Sequence, residues 1–456
     1  MFGATQGIGT NLNERQAAER KRRGITTGLI SLAMLFLFAF YANLRWANEA
    51  PAFEKAKETA DTPAYVRISG EAFFSKEFWA NSRPPVFPLL LKIYDANKIE
   101  VAAFQATFSI FAWGMLALSL AYSMKGILRL ITFGLVLALS LDRHIAGWDV
   151  VMLTESVSIS LLALFLAAWL WLLRGWLWEK AAVLSLIAFL WAFARDTNGW
   201  ILLMIAGLIV LGVLFFSAQK RYFTIALAFT LFFLLSNLSA NEGERWVFPF
   251  QNVLAQRILT DQKALEFFSA CGMPVTPELL ALAGGFANSD ERAFYTDPAL
   301  ESYRTWMYAN GKSCYIRWLF SRPLTALRQP WTDFTWLLTF EDVTFFYPQS
   351  YKPLLPWYAE RVLYPQNAIL WLWAGTTIAA LVAIWKKAWR MNIAWVVFIG
   401  LCLLIYPHLF IVWHGDVMGT HRHALTVSVQ FVLSTWLFGV LVLESILARF
   451  RVPGFV

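Results

Sequence analysis

Residues 20–46 read RKRRGITTGLISLAMLFLFAFYANLRW: Arg20, Lys21, Arg22 and Arg23, followed by an almost uninterrupted apolar run. A helix crosses the hydrocarbon core of a bilayer with about 20 apolar residues. This run reaches that length, and the apolar region of a cleaved secretory signal is only about 7–15 residues. We read it as an uncleaved anchor. The basic cluster before it predicts a cytoplasmic N-terminus, because Lys and Arg are retained on that side.

The pattern recurs along the chain. Hydropathy gives ten candidate spans, at 25–46, 101–123, 127–141, 151–173, 181–194, 198–217, 222–240, 367–385, 391–413 and 425–447, the third and fifth short enough to be tilted or partly re-entrant. Backbone groups in lipid must bond within their own segment, so the spans are expected to be helices. No run of about ten alternating residues suggests a β-barrel. The expected fold class is therefore all-α, a polytopic helical membrane protein. Composition agrees: 58% of the 456 residues are hydrophobic, 15% are charged, and there are 23 Trp and 39 Phe. Soluble domains carry about 25% charged residues. Mean hydropathy is +0.53. A soluble domain, a disordered chain and a disulfide scaffold are excluded.

Sixteen basic residues fall in the short segments on the N-terminal side of this scheme, among them Lys125, Arg174, Lys220, Lys386 and Arg449. The short segments on the other side hold only Arg143, Arg195 and Arg422. This asymmetry predicts N-in and C-in, and it accounts for the net charge of +8 without nucleic acid. The organisation follows: 1–24, a cytoplasmic tail; 25–240, a transmembrane core with an outer loop at 47–100; 241–366, an extracytoplasmic domain lying on the membrane; 367–456, the last spans and a short tail. Cys271 and Cys314 share the large outer segment, where an oxidising compartment would let them pair. Cys402 falls inside a span and reads as packing.

Polar residues collect on the outer side. All five histidines map there, at 144, 408, 414, 421 and 423, with Asp142, Asp149, Arg195, Asp196, Asp416 and Arg422. Glu155 reads as about one turn inside the fourth span. Ionisable groups at membrane depth are costly and mark functional sites; one outward-facing polar cavity would gather these. The first outer loop is organised too, with Asp61-Thr-Pro-Ala-Tyr65 followed by Arg83-Pro-Pro-Val-Phe-Pro-Leu-Leu-Leu91. Asp61 suits a helix N-cap as well as a catalytic role. Arg195 suits snorkelling as well as a site.

Three elements together resemble the membrane glycosyltransferases of the C-type fold (GT-C), which use polyprenyl-phosphate sugars. They are the Asp61…Tyr65 and Pro-Pro stretches, Leu153-Thr-Glu155-Ser-Val-Ser158, and Asp416…Arg422-His423. Thr62 stands where the family usually has Ser, and ten spans fall just below its usual eleven to thirteen. The resemblance covers roughly 1–240 and 367–447 and leaves 241–366 unmatched. It implies a GT-C-like core and a transferase moving a sugar from a polyprenyl-phosphate donor to a glycan, lipid or protein acceptor, with inversion, in a bacterial plasma membrane. Asp61 would be the base, Arg422, His423 and Arg195 would bind the donor phosphate, and Tyr65, Arg83 and Glu155 would bind substrate. No cofactor is implied. His414, Asp416, His421 and His423 are compatible with a divalent metal, which a monophosphate leaving group often does not require. Two other functions stay open, a transporter or flippase of lipid-linked glycans and a non-catalytic assembly protein. A transporter would show repeats and charges near the midplane, whereas here the charges sit at the rim.

The orientation is tested by cysteine labelling on intact cells. In a cysteine-free background, Lys76→Cys is expected to react with an impermeant maleimide and Lys220→Cys to stay unreacted until the membrane is opened; the reverse pattern would invert the topology.

Overall fold

The computed structural model describes residues 6–216, 219–287, 293–339, 346–364 and 369–450. Among them the chain is helical, with no strand. Each of the ten apolar runs is a helix: α1 Gln6–Phe53, α2 Lys98–Ala121, α3 Leu128–Ser140, α4 Glu155–Leu173, α5 Trp178–Ala194, α6 Asp196–Phe216, α7 Tyr222–Glu242, α8 Ile369–Trp385, α9 Ala394–Gly415 and α10 Leu425–Phe450. Six of these, with the Gly24–Phe53 part of α1, are long and apolar enough to cross a membrane: α2, α4, α6, α7, α9 and α10.

That is fewer than ten, for local reasons. α3 ends where the Asp142 carboxylate accepts from the His144 amide and caps a new turn. The chain bends by 57° and continues over Arg143–Val150, so this eighth candidate is a broken span or a re-entrant loop. α5 and α8 have 17 residues each. The first four residues of the expected fourth span are not helical. Lys57 N donates to Val150 O and Met152 N to Lys57 O, both at 2.9 Å, so residues 150–152 pair with the first loop instead. Glu155 therefore opens α4 rather than lying a turn inside it, its charge at the helix N-terminus where it is favourable.

α1 runs seven residues past the expected end of its span, because a polar cluster is sealed against it. Arg45 is fully buried. Its guanidinium donates to Glu49 Oε1 (2.9 Å), Tyr41 OH (2.9 Å), Ser109 Oγ on α2 (3.0 Å) and Asp149 Oδ2. Ser156 Oγ on α4 donates to the other Asp149 oxygen. Buried charges persist only when paired and hydrogen-bonded, and here the pairing ties α1, α2, the 143–150 turn and α4 together at one end of the bundle.

The main core runs through the bundle, with α2 against α1, α3 and α4, α6 along α7, and α9 against α10. The 241–366 segment divides between two cores. Residues from Val247 to Cys314 close around their own apolar centre, including Phe268, Tyr303 and Trp306, and Cys271 is disulfide-bonded to Cys314. Phe334, Leu337, Leu338, Tyr347 and Tyr364 instead belong to the core of the bundle.

Where α7 ends, Gly243 is pressed against the first loop: a Cβ there would stand 2.1 Å from Asn81 O. The obstacle is backbone, which cannot swing aside. Gly243→Ala should cost about 1–3 kcal/mol, in the range of other forced overpacking, and lower the thermal unfolding midpoint in detergent; an unchanged midpoint would show that the two loops separate freely.

Candidate functional site

Four separate stretches arrive at the same end of the bundle. The pairing of Lys57 with 150–152 brings the first loop beside the start of α4, and Thr62 Oγ1 strengthens it by donating to Met152 O (3.1 Å) while accepting from Thr59 N (2.9 Å). A serine hydroxyl could make both bonds as well. Asp61 is thereby held near Glu155. Arg195 is a single extended residue between α5 and α6 (φ −152°, ψ 141°), projecting from the break. Gly419, at φ +62°, makes the left-handed step that lets Thr420–His423 form a turn before α10. That step favours glycine, and it presents Arg422 and His423.

The side chains form one continuous chain of ion pairs and hydrogen bonds. Arg83 Nη2 donates to Asp61 Oδ1 (2.6 Å), and Arg422 Nη1 donates to Asp61 Oδ2 (2.9 Å). Arg422 Nε lies 3.5 Å from Glu155 Oε1, and Arg195 Nη1 lies 3.4 Å from the same oxygen. Arg195 Nη2 donates to His423 Nδ1 (2.6 Å). His423 Nε2 lies 3.7 Å from Asp416 Oδ2. Tyr65 flanks the chain, with Arg83 Cζ 5.9 Å from the centre of its ring, and packs edge-on against Phe87. The residues singled out in the sequence thus meet in one place. Exposure is graded: side chains are 34% accessible at Arg83, 21% at Asp61 and 17% at Arg422, but 3% at Glu155. Glu155 is the most buried member, and accessibility rises again towards His423, at 25%.

Asp61 sits at the N-cap position of Thr62–Ser69, yet its side chain makes no capping bond. Both its oxygens serve arginines instead. Burial alone would raise its pKa, but Arg422 and Arg83 outweigh burial and hold the carboxyl below the ordinary carboxylate range. It is ionised at neutral pH. His423 behaves differently: burial first, then Arg195 and Arg422, push its pKa well below the ordinary histidine range. It is a neutral ring whose Nδ1 accepts from Arg195, so it adds no positive charge of its own. Burial pushes the Tyr65 hydroxyl up to about 12, so it stays protonated. Asp416 is raised by burial, against the amides of Met418 and Val417 and Asn252 Nδ2, which it accepts from; it acts as a loop brace. Three guanidinium groups, of Arg83, Arg195 and Arg422, stand among three carboxylates, of Asp61, Glu155 and Asp416. Glu155 Oε2 and Arg83 Nε are buried with no protein hydrogen-bond partner.

The other histidines are dispersed. His414 Nε2 faces Ala326 O (3.0 Å) and its Nδ1 faces Tyr315 OH (3.3 Å). His421 packs edge-on against Trp336. His144 is bonded to Asp142 and stacked on Tyr364, and His408 faces Gln430. Among the described residues no three His, Cys, Asp or Glu gather to hold a metal ion. Arg143 pairs with Glu360. Sequence reasoning missed Arg245, which donates to Arg83 O (3.1 Å), pairs with Asp196 (3.3 Å) and so fixes Arg83. Its one signal was an Arg directly after the end of an apolar run. It also missed Phe346, whose ring centre lies 5.9 Å from Arg422 Cζ. Compared with known proteins, the chain matches no family model, and no curated protein is significantly similar to it.

Glu155 anchors two arginines out of water, and removing one member of a buried pair costs about 3–5 kcal/mol. Glu155→Gln is expected to lower thermal stability more than Asp61→Asn, which sits nearer solvent. The Asp61 contribution also has a pH signature. A carboxyl lowered in the folded state stabilises above its unfolded value, about 3.9, and that contribution is lost as pH falls through its folded value. The midpoint difference between the wild type and Asp61→Asn should be constant near neutrality and vanish in strong acid. A difference that grows in acid would contradict the pairing.

Proposed function

We propose that the protein is a glycosyltransferase that moves a sugar from a polyprenyl-phosphate donor to an acceptor hydroxyl on the outer face of the membrane. The observation that carries this reading is the Asp61–Arg422 pair, at 2.9 Å between residues 361 apart in sequence, set in an arginine-rich cluster at the rim of an apolar helix bundle. A lipid phosphate needs a cationic head site beside a place for its chain, and the transfer needs a base next to that head site.

The chemistry runs as follows. The donor phosphate takes over Arg422 and Arg83, whose forked donors suit a phosphate. Asp61 gives up the cations that hold its pKa down, so donor binding itself makes it a stronger base. The acceptor oxygen then bonds to the anomeric carbon on the face opposite the leaving group. Its proton passes to Asp61, and the carbon–oxygen bond to phosphate breaks with its electron pair going to the phosphate. Glu155 holds Arg422 and Arg195 in place. His423 keeps Arg195 oriented and offers Nε2–H as a neutral donor.

Purified protein in phosphatidylcholine nanodiscs should bind undecaprenyl phosphate. Arg422→Ala should weaken that binding about tenfold or more, the loss of a charge-assisted pair. Asp61→Asn should bind as well or better, because the carboxylate that competes for Arg422 is gone. The same variant should lose transfer from a panel of polyprenyl-phosphate-linked sugars by about two to four orders of magnitude, the usual size of a missing base. Binding without any transfer by the wild type would favour a transporter, and no binding an assembly role.

A further inference from the structure

Two helices of the large segment, Lys312–Ser321 and Pro323–Thr332, follow one another with only Arg322 between them. Ile316 and Phe320 lie one turn apart on the first, and Leu324 and Leu327 one turn apart on the second. All four are exposed, Phe320 at 79% and Leu324 at 81%. Single apolar residues on a surface are ordinary, whereas a run of them marks a contact. The charges around the run are one-sided. From Lys312 to Thr332 there are four basic residues, Lys312, Arg317, Arg322 and Arg328, and no acidic one, although 241–366 as a whole carries 11 basic and 13 acidic residues. Lys312 is spent inside the protein, where it donates to Asn241 Oδ1. Arg317 and Arg328 are exposed. Arg317 Nε bonds to Ser313 O (3.4 Å), and Arg322 Cζ stands 3.8 Å from the centre of the Trp318 ring; neither contact is with a carboxylate.

The second helix is fastened to α9, which is long and apolar enough to cross a membrane. Ala326 O faces His414 Nε2 (3.0 Å), and Leu327 O accepts from Tyr406 OH. His414 is the last residue but one of α9, and Tyr406, eight residues before it, lies ~12 Å further in along the axis. Trp331 then stacks on Tyr406, with ring centres 4.9 Å apart, and packs edge-on against Trp373 of α8 at 4.8 Å. The helix is thus held alongside the last turns of α9 rather than above them. Ala326 is buried there, while Leu324 and Leu327 stay exposed. We propose that Ile316, Phe320, Leu324 and Leu327 are seated in the bilayer, in the leaflet at the end of the bundle where the Asp61–Arg422 site lies, and that Arg317, Arg322 and Arg328 take the headgroups of anionic phospholipids. Amphipathic helices of this kind sink their apolar face about 5–10 Å into the leaflet, and basic side chains at that level attract anionic lipid. The inference does not depend on the glycosyl-transfer reading. It does touch the site: Trp336, on the next helix Phe334–Thr339, packs against His421, the neighbour of Arg422.

The test uses the full chain in nanodiscs whose lipids carry bromine on their acyl chains, which quenches only a fluorophore at hydrocarbon depth. In a Cys402→Ala background with the disulfide intact, bimane is attached to Phe320→Cys, Leu324→Cys or Lys76→Cys. The first two are expected to be quenched and the third to stay bright. At equal mole fraction, brominated phosphatidylglycerol should quench the Leu324→Cys label at least about twofold more than brominated phosphatidylcholine, because the basic residues enrich it locally. Adding Arg317→Gln, Arg322→Gln and Arg328→Gln should erase that difference without lowering the thermal midpoint. Labels at 320 and 324 as bright as the one at 76 would give the run to water or to a soluble partner. Quenching that disappears when two copies share a disc would give it to a second copy. Either result overturns the proposal, and equal quenching by the two lipids overturns the headgroup assignment.

Discussion

One carboxylate oxygen, Glu155 Oε1, faces two guanidinium groups, at 3.4 Å from Arg195 and 3.5 Å from Arg422. Three parts of the chain meet on it: the start of α4, the break between α5 and α6, and the turn between α9 and α10. Its side chain is 3% accessible, so water cannot replace either partner, and a buried charge left unpaired is expensive. The geometry around it is therefore held tightly. Arg422, fixed on one side by Glu155, reaches Asp61 on the other; Asp61 in turn holds Arg83. The loops are ordered by this run of charges and by the pairing of Lys57 with 150–152, both within a few residues of Asp61 or Glu155.

Much of this architecture was legible because lipid enforces a simple rule: a long apolar run is a helix. All ten runs became helices at nearly the expected residues. What the runs did not carry was where a helix yields to a polar demand. Asp142 ends α3 by capping the next turn, and residues 151–154 leave α4 to pair with Lys57; neither event alters hydropathy. Nor did the run at 25–46 reveal that α1 goes on through Glu49, since that depends on Asp149 waiting in another segment. The site residues could be guessed individually, as ionisable groups on one side of an apolar protein. Their pairing could not, because nothing near Asp61 encodes Arg422. Arg245 shows the limit well: its importance lies in touching the Arg83 carbonyl, a backbone atom that sequence gives no means to single out.

The two charged networks differ in a way that bears on function. The cluster on Arg45 is closed, with the Arg45, Glu49 and Asp149 side chains all at 0% accessibility. It joins helices and has no route to solvent-borne ligands. The network on Glu155 is graded from buried to open, and some of its polar atoms have no protein partner. Ser156 bonds to the first and neighbours Glu155 of the second, so the sealed cluster sets the position from which the open one is built. The division sets a sealed foundation under a partly accessible set of charges.

The distance in sequence between Asp61 and Arg422 has a consequence for how the protein is made. Synthesis proceeds from the N-terminus, so Asp61 is in place while the segment bearing Arg422 is still untranslated. The early helices enter the membrane without the partner that later neutralises this carboxylate. Only when the segment that precedes α10 arrives do these charges find one another, so the pair forms late in synthesis. A ribosome that stalls before Arg422 leaves a bundle in which Asp61 lacks this partner.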